Sequence, residues 1–83
     1  VIKATITVKL KPGVLDPQGE AVKGTLHTLG FGEVTDLRIG KTMEVWLDAD
    51  DPAPAEERVK AMCEQLLANP VIETYSFSLE EGV

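Results

Sequence analysis

Residues 2–10 alternate without a break. Ile2, Ala4, Ile6, Val8 and Leu10 take one face; Lys3, Thr5, Thr7 and Lys9 take the other. A period of two makes this a strand with one buried face. The stretch that follows, Lys11-Pro12-Gly13-Val14-Leu15-Asp16-Pro17-Gln18-Gly19, turns the chain sharply into a helix. Pro12 and Pro17 lock φ and lack an N–H, and Gly13 permits a positive φ. Asp16 directly before Pro17 reads as an N-cap ahead of an N1 proline. Val14 and Leu15 are apolar residues inside a turn, so something must cover them. The expected cover, reaching Lys11 as well, is another chain.

From Asp16 the period changes. Val22, Leu26 and Leu29 recur at helical spacing, so a helix runs to about Leu29. Gly30 is the expected C′ residue, with Phe31 at C″ and Leu26 at C3 of a Schellman ending. Gly24 inside this helix costs about 1 kcal/mol relative to alanine. A hairpin is expected next, over residues 33–39 and 43–49. A three-residue loop, Gly40-Lys41-Thr42, pairs Ile39 with Met43, Leu37 with Val45 and Thr35 with Leu47. A two-residue turn would set each apolar residue against a polar one, so the longer loop is preferred. That register puts Arg38 beside Glu44, and Asp36 beside Trp46, on the face away from the helices.

Asp48 to Pro54 is an acidic, proline-containing connection. A second helix follows from about Pro54 to Leu67, with Ala55, Val59, Met62, Cys63 and Leu66 as its apolar stripe. Asn69 is an αL terminator and Pro70 blocks continuation. The last strand is expected over residues 71–79, with Tyr75, Phe77 and Leu79 on one face. The order β-α-β-β-α-β predicts an α+β, ferredoxin-like sandwich in a single domain, residues 1–83. Right-handed crossovers would give an antiparallel sheet with both helices on one face. Lys3, Thr5, Thr7, Lys9, Arg38, Glu44, Trp46, Thr74, Ser76 and Ser78 would build the open face, with Trp46 at its centre, and that face is expected to serve oligomerisation.

A chain of 83 residues buries only roughly 60–65% of its unfolded surface, so oligomerisation would help it. The net charge of −6 argues against a free-standing nucleic-acid binder. No positive-apolar-small leader opens the chain and no apolar run approaches 18 residues. A cytoplasmic protein with no membrane or nucleic-acid partner is therefore expected. Nucleophilic catalysis needs a nucleophile beside a base. The single histidine, His27, falls late in the first helix, and the single cysteine, Cys63, falls on an apolar stripe. Asp48, Asp50 and Asp51 form the one carboxylate cluster and read as a helix-capping loop rather than a metal site. Gly40-Lys41 lacks the spacing of a phosphate-binding loop. No catalytic, cofactor-binding or metal-binding residue is assigned. What remains is an interaction protein, whose interface candidates are Lys11, Val14, Leu15, Arg38, Lys41, Glu44 and Trp46.

Val8-Lys9-Leu10-Lys11, Gly13 to Gly19, Leu29-Gly30-Phe31, Arg38-Ile39-Gly40-Lys41 and Leu66-Leu67-Ala68-Asn69-Pro70-Val71-Ile72-Glu73 occur in this order. Together they resemble the PurS family, the small subunit of phosphoribosylformylglycinamidine synthase, over essentially the whole chain. The resemblance implies a place in de novo purine biosynthesis. There, formylglycinamide ribonucleotide, glutamine and ATP become formylglycinamidine ribonucleotide, glutamate, ADP and phosphate. It implies a glutaminase partner, PurQ, that releases ammonia, and a synthetase partner, PurL, that uses it with ATP and Mg. It implies a dimer or higher oligomer that bridges the two and assists ammonia transfer, with no cofactor bound by this chain. Two other readings share the topology. An ACT-like dimeric module would bind a metabolite at the Gly30–Gly32 turn. An acylphosphatase-like enzyme would need an early arginine, and residues 1–37 contain none.

Overall fold

The computed structural model describes residues 1–82. Its centre is β1 (Ile2–Leu10), flanked by β2 (Lys41–Leu47) and β3 (Glu73–Glu81) in the order β2-β1-β3. Both pairings are antiparallel, with Ile6 opposite Met43 on one side and Phe77 on the other. The alternation of β1 sets which face is buried: Ile2, Ala4, Ile6 and Val8 all lie on it. Met43, Val45 and Leu47 of β2, and Tyr75, Phe77 and Leu79 of β3, extend the same face.

Helix α2 (Pro52–Met62) covers that face through Ala55 and Val59. Asp51 caps it, its carboxylate accepting from the Ala53 N–H at 3.1 Å, and Pro52 follows at N1. The helix therefore begins two residues before the expected Pro54. It ends in a π-helical turn, Cys63–Leu67, closed by the Ala68 N–H donating to the Cys63 carbonyl at 3.0 Å. A π turn holds one more residue than an α turn, and this corrects the expected stripe. Cys63 stays buried, but Leu66 swings out to 82% exposure while Leu67 and Ala68 take its place against the core.

Helix α1 (Pro17–Thr28) behaves differently. Its ends form as the sequence predicts. Asp16 caps it, and Gly30 has φ 102°. The Phe31 N–H donates to Leu26 and the Gly30 N–H to His27, the two bonds of a Schellman ending. Yet no α1 residue belongs to the buried cluster under the sheet. The helix lies against its own continuation instead. The buried residue of α1 is Gly19, where an added Cβ would come within 2.7 Å of the Leu37 carbonyl, and His27 Nε2–H donates to the Val34 carbonyl at 2.8 Å. The expectation of two helices on one sheet face thus holds for α2 and not for α1. The chain is extended, 49 × 27 × 14 Å with a radius of gyration of 16.4 Å, against roughly 12 Å for a compact chain of this length.

The expected hairpin does not form. The α+β class and the antiparallel sheet are present, but among the described residues the order is β-α-β-α-β with three strands, not four. The backbone donors of residues 33–39 go elsewhere: Val34 to Phe31, Leu37 to the Asp36 side chain, Ile39 to the Asp16 side chain. With these three N–H groups committed elsewhere, the segment cannot run a regular ladder along its whole length. Gly40 then lets the chain enter β2 hard against β1, where a Cβ would meet the Val8 carbonyl at 2.6 Å. The final strand starts two residues later than expected and pairs with β1 of its own chain.

Candidate functional site

Two regions carry the side chains left over from the core. The first is the open face of the sheet. Its register sets Lys3 between Trp46 and Glu80, Thr5 between Glu44 and Ser78, and Thr7 between Thr42 and Ser76. The expected face is therefore built as read, with Arg38 removed and Thr42 added. Trp46 is 56% exposed but sits on the edge strand, not at the centre. Lys3 Nζ lies 2.7 Å from Glu44 Oε2 and 5.8 Å from the centroid of the Trp46 ring. The hydrogen bond to Glu44, then its charge, holds the Lys3 ammonium above the usual lysine range.

The predicted neighbours of this face are corrected. Arg38 was paired with Glu44 and Asp36 with Trp46 through a hairpin that does not exist. Lys3 takes Glu44 instead. Arg38 Nη1 donates to the carbonyls of Leu10 and Lys11, at 3.2 and 3.3 Å.

That contact makes Arg38 part of the second region, the corner between β1 and α1. Gly13 has φ 88°, and the Val14 N–H donates to the Lys11 carbonyl, closing the turn. Asp16 fastens it twice. Its Oδ1 accepts from the Gly19 N–H at 2.9 Å, and its Oδ2 accepts from the Ile39 N–H at 2.9 Å. The bond from Ile39, then that from Gly19, holds the carboxyl below the usual aspartate range. The N-cap role was legible in the sequence. The second bond was not, because it joins residues 23 apart.

Across the corner, the Lys11 N–H donates to the Ile72 carbonyl at 2.8 Å. This draws in the turn after α2, which is tied by its own bonds: Val71 N–H to Asn69 Oδ1, and Asn69 N–H to Glu73 Oε1. Lys11, Val14, Leu15 and Arg38 are thereby brought together at one end of the molecule, with Lys41 opposite Val8 beside them. Glu44 and Trp46 lie apart, on the sheet. Val14 is half-buried, while Leu15 is 73% exposed and Val71 78% exposed. Leu66, Val71 and Ile72 were missed as surface residues. The sign available in the sequence was an apolar pair placed directly after Asn69-Pro70. Asn69 is not the αL terminator expected: no described non-glycine residue has a positive φ, and the helical segment ends because Ala68 is extended, with φ −132° and ψ 149°.

The two nucleophilic candidates do not meet. Cys63 is buried under the sheet, where burial, and next the charge of Glu64, pushes its thiol up. His27 is exposed on α1, beside the Val34 carbonyl. Tyr75 Oη–H donates to Glu64 Oε1 at 2.6 Å, a bond that ties β3 to the π turn and pushes the phenol up to about 12. Among the described residues no three side chains of metal-ligating type cluster. No helix there is long and apolar enough to cross a membrane.

The family model for PurS, phosphoribosylformylglycinamidine (FGAM) synthase, matches residues 3–81. The chain belongs to the PurS family. It is 49% identical over 81 residues to the PurS subunit of phosphoribosylformylglycinamidine synthase from Bacillus subtilis (strain 168), covering 98% of this chain and 95% of that protein. It also resembles a crystal structure of B. subtilis PurS, with TM-score 0.88 and 48% identity over 98% of this chain and 100% of the other. Against PurS of Methanocaldococcus jannaschii the TM-score is 0.85 at 38% identity, over 96% of each chain. A chain in the structure of PurLQS from Thermotoga maritima matches with TM-score 0.85 and 35% identity, over 95% of this chain and 96% of that one.

Proposed function

We propose that this chain is a non-catalytic assembly subunit of a cytoplasmic phosphoribosylformylglycinamidine synthase. It bridges a glutaminase subunit, PurQ, and a synthetase subunit, PurL, and assists the passage of ammonia between them. The assembly converts formylglycinamide ribonucleotide, glutamine and ATP to formylglycinamidine ribonucleotide, glutamate, ADP and phosphate. ATP and Mg are handled by the synthetase, and this chain holds no cofactor of its own. Membership of the PurS family supports this reading, as does the likeness to a chain of the T. maritima PurLQS structure.

The observation that carries it is the amount of apolar and aromatic surface left outside the core. Helix α1 leaves Val22, Leu29 and the following Phe31 exposed, and the open sheet face leaves Trp46 exposed. A monomer that keeps a whole helix off its sheet has built a surface for other chains. Two separate self-complementary contacts, one through α1 and one through the sheet face, give a dimer and then a tetramer. Trp46→Glu would desolvate a charge in the second contact, and sedimentation should then show a smaller species. An unchanged profile removes Trp46 from that contact.

The functional test is reconstitution with the two large subunits. Glutamine-dependent turnover should require this chain, and turnover with ammonia supplied directly should need it much less. Equal glutamine-dependent activity with and without the chain would reject the proposal.

A further inference from the structure

Two bonds at the ends of β1 fix which way its backbone points. The Gly82 N–H donates to the Val1 carbonyl at 3.3 Å, and the Lys11 N–H to the Ile72 carbonyl at 2.8 Å. The odd residues of β1 therefore turn their backbone groups towards β3. Ile2, Ala4, Ile6 and Val8 turn theirs towards β2, where they face Leu47, Val45, Met43 and Lys41. The residues between these in β2, Thr42, Glu44 and Trp46, point their N–H and C=O groups to the outside. β2 is an edge strand, and among the described residues no strand pairs with that side. Beside it runs a groove of about 350 Å³ whose lining includes Val45, Leu47, Ala55 and Met62. No residue of β1 or β3 lines this groove, so it opens along the outer side of β2. An unpaired edge beside an apolar groove is a template for another strand.

The chain carries a segment of matching pattern and holds it elsewhere. From Val34 to Gly40 there is no turn, bend or helix, and the run leads directly into β2. The Ile39 N–H is fastened to Asp16, and the Leu37 carbonyl lies against Gly19. These contacts spend the inner edge of the segment. They also pin it beyond the end of its own sheet, so it cannot fold back over its own β2. The outer edge is open: the backbone groups of Asp36 and Arg38 make no hydrogen bond among the described residues. Leu37 and Ile39 are half-buried between exposed neighbours, in the same phase as Met43, Val45 and Leu47.

We infer that residues 35–39 of a second copy form a fourth strand, antiparallel along the outer edge of β2, each copy giving its segment to the other. The register follows from the phase of the two edges. The partner's Asp36 and the partner's Arg38 bond to Trp46 and Glu44, open edge to open edge. The partner's Leu37 then falls opposite Val45, and the partner's Ile39 opposite Met43, on the core side. This is the apolar pairing that the alternation predicts for a hairpin, made between two chains instead of within one. A two-fold axis through Lys41 makes every contact twice, and the assembly closes on itself. The like-charged pair on that axis, Lys41 with the partner's Lys41, shares its pocket with the carboxylates of Asp16 and Glu73. Helix α1 is tied to the segment through Asp16, Gly19 and His27. It goes with the segment to the partner, which is why it stands off the core of its own chain. This exchange gives the self-association proposed above its geometry and rests on that self-association alone.

The test is a disulfide that only the exchange can make. In this register residues 37 and 45 of different copies face each other with Cβ atoms roughly 4.5–5.5 Å apart, close to the separation a disulfide takes. Within one chain the same two positions lie on a straight run, roughly 26 Å apart. Oxidised Leu37→Cys/Val45→Cys should migrate almost wholly as a covalent dimer on a non-reducing gel, and as a monomer once reduced. Leu37→Cys/Trp46→Cys, one residue out of phase, should stay monomeric on the same gel, as should each single variant. Cys63 is buried and takes no part. An internal disulfide in a monomer would place the hairpin within one chain and overturn the inference. Free thiols in Leu37→Cys/Val45→Cys, with light scattering that still shows an oligomer, also overturn it and leave self-association standing. A wild-type chain that scatters as a monomer removes both. Amide exchange on the wild type covers the case of a variant that fails to fold. Glu44 and Trp46 should exchange about a hundredfold or more slowly than in an unstructured peptide. Exchange at the peptide rate at both positions overturns the inference.

Discussion

The two helices start from the same signal and end in different situations. Each begins at an Asp-Pro pair, with the aspartate accepting backbone N–H bonds and the proline at N1. Helix α2 lays Ala55 and Val59 into the sheet, and the π-helical turn that ends it adds Cys63; all three are buried. Helix α1 turns its apolar stripe outward and packs on the irregular segment that follows it. Capping fixes where a helix begins and says nothing about what it will cover. The comparison divides the molecule into a half whose apolar face is buried internally and an arm whose apolar side chains Val22, Leu29 and Phe31 stay exposed.

Ile6→Ala tests the first half hardest. Ile6 is fully buried in the central strand, so the change should cost about 2–5 kcal/mol. Urea unfolding of the wild-type and variant chains measures it. A loss below about 1 kcal/mol would mean that the core relaxes around the gap. In the arm, Val22→Glu with Leu29→Glu should hardly alter the monomer's own fold, because both side chains are exposed, and surface changes stay within about 0.5 kcal/mol. The molar mass by light scattering should nevertheless fall towards 9.0 kDa. Retention of the oligomer would show that the arm is not where copies meet.

Smaller effects probe the junction between the halves. The Asp16 carboxyl is held low by bonds from Ile39 and Gly19. A carboxyl held below its unfolded value of about 3.9 stabilises the fold above that pH. That contribution disappears as pH falls through the lower folded value. Asp16→Asn should therefore lower the thermal midpoint at neutral pH, and the gap to wild type should narrow as pH falls below the unfolded value of about 3.9. A constant gap across the range would deny the carboxylate this role. The smallest expected change is Tyr75→Phe, which removes one bond at the surface. It is best read through the wild type: the single tyrosine should ionise near 12 by ultraviolet titration. Glu64→Gln should move it down towards about 10. Because the folded value is raised, the bond supports the fold below pH ~10 and is lost as pH climbs through 12.

Legibility followed the distance over which each feature is decided. The strand 2–10, the Asp16 cap, the Schellman ending at Gly30 and the burial of Cys63 depend on neighbours in sequence or on one strong period, and all were readable. The hairpin at residues 33–39 was misread because its alternation is genuine but its N–H groups are taken by Asp16, Asp36 and Phe31. Leu66 was misplaced because a π turn shifts helical phase by a residue, and no residue type in Cys63–Leu67 announces one. Of the interface candidates, Lys11, Val14, Leu15 and Arg38 come together, and Lys41 joins them. Glu44 and Trp46 form a separate face with Lys3.

The alternation of β1, with the corner that follows it, determined by itself that this chain is a half-buried sheet with a fixed strand-to-helix turn. The run of family motifs added the PurS resemblance. Both are written in adjacent residues, where local sterics and hydrophobic period act directly. Tertiary structure decided that β1 is central, that the segment after α1 stays out of the sheet, and that α1 stands away from the core. Those outcomes depend on which backbone donors find which distant acceptors, as when Asp16 takes the Ile39 N–H that a fourth strand would have needed.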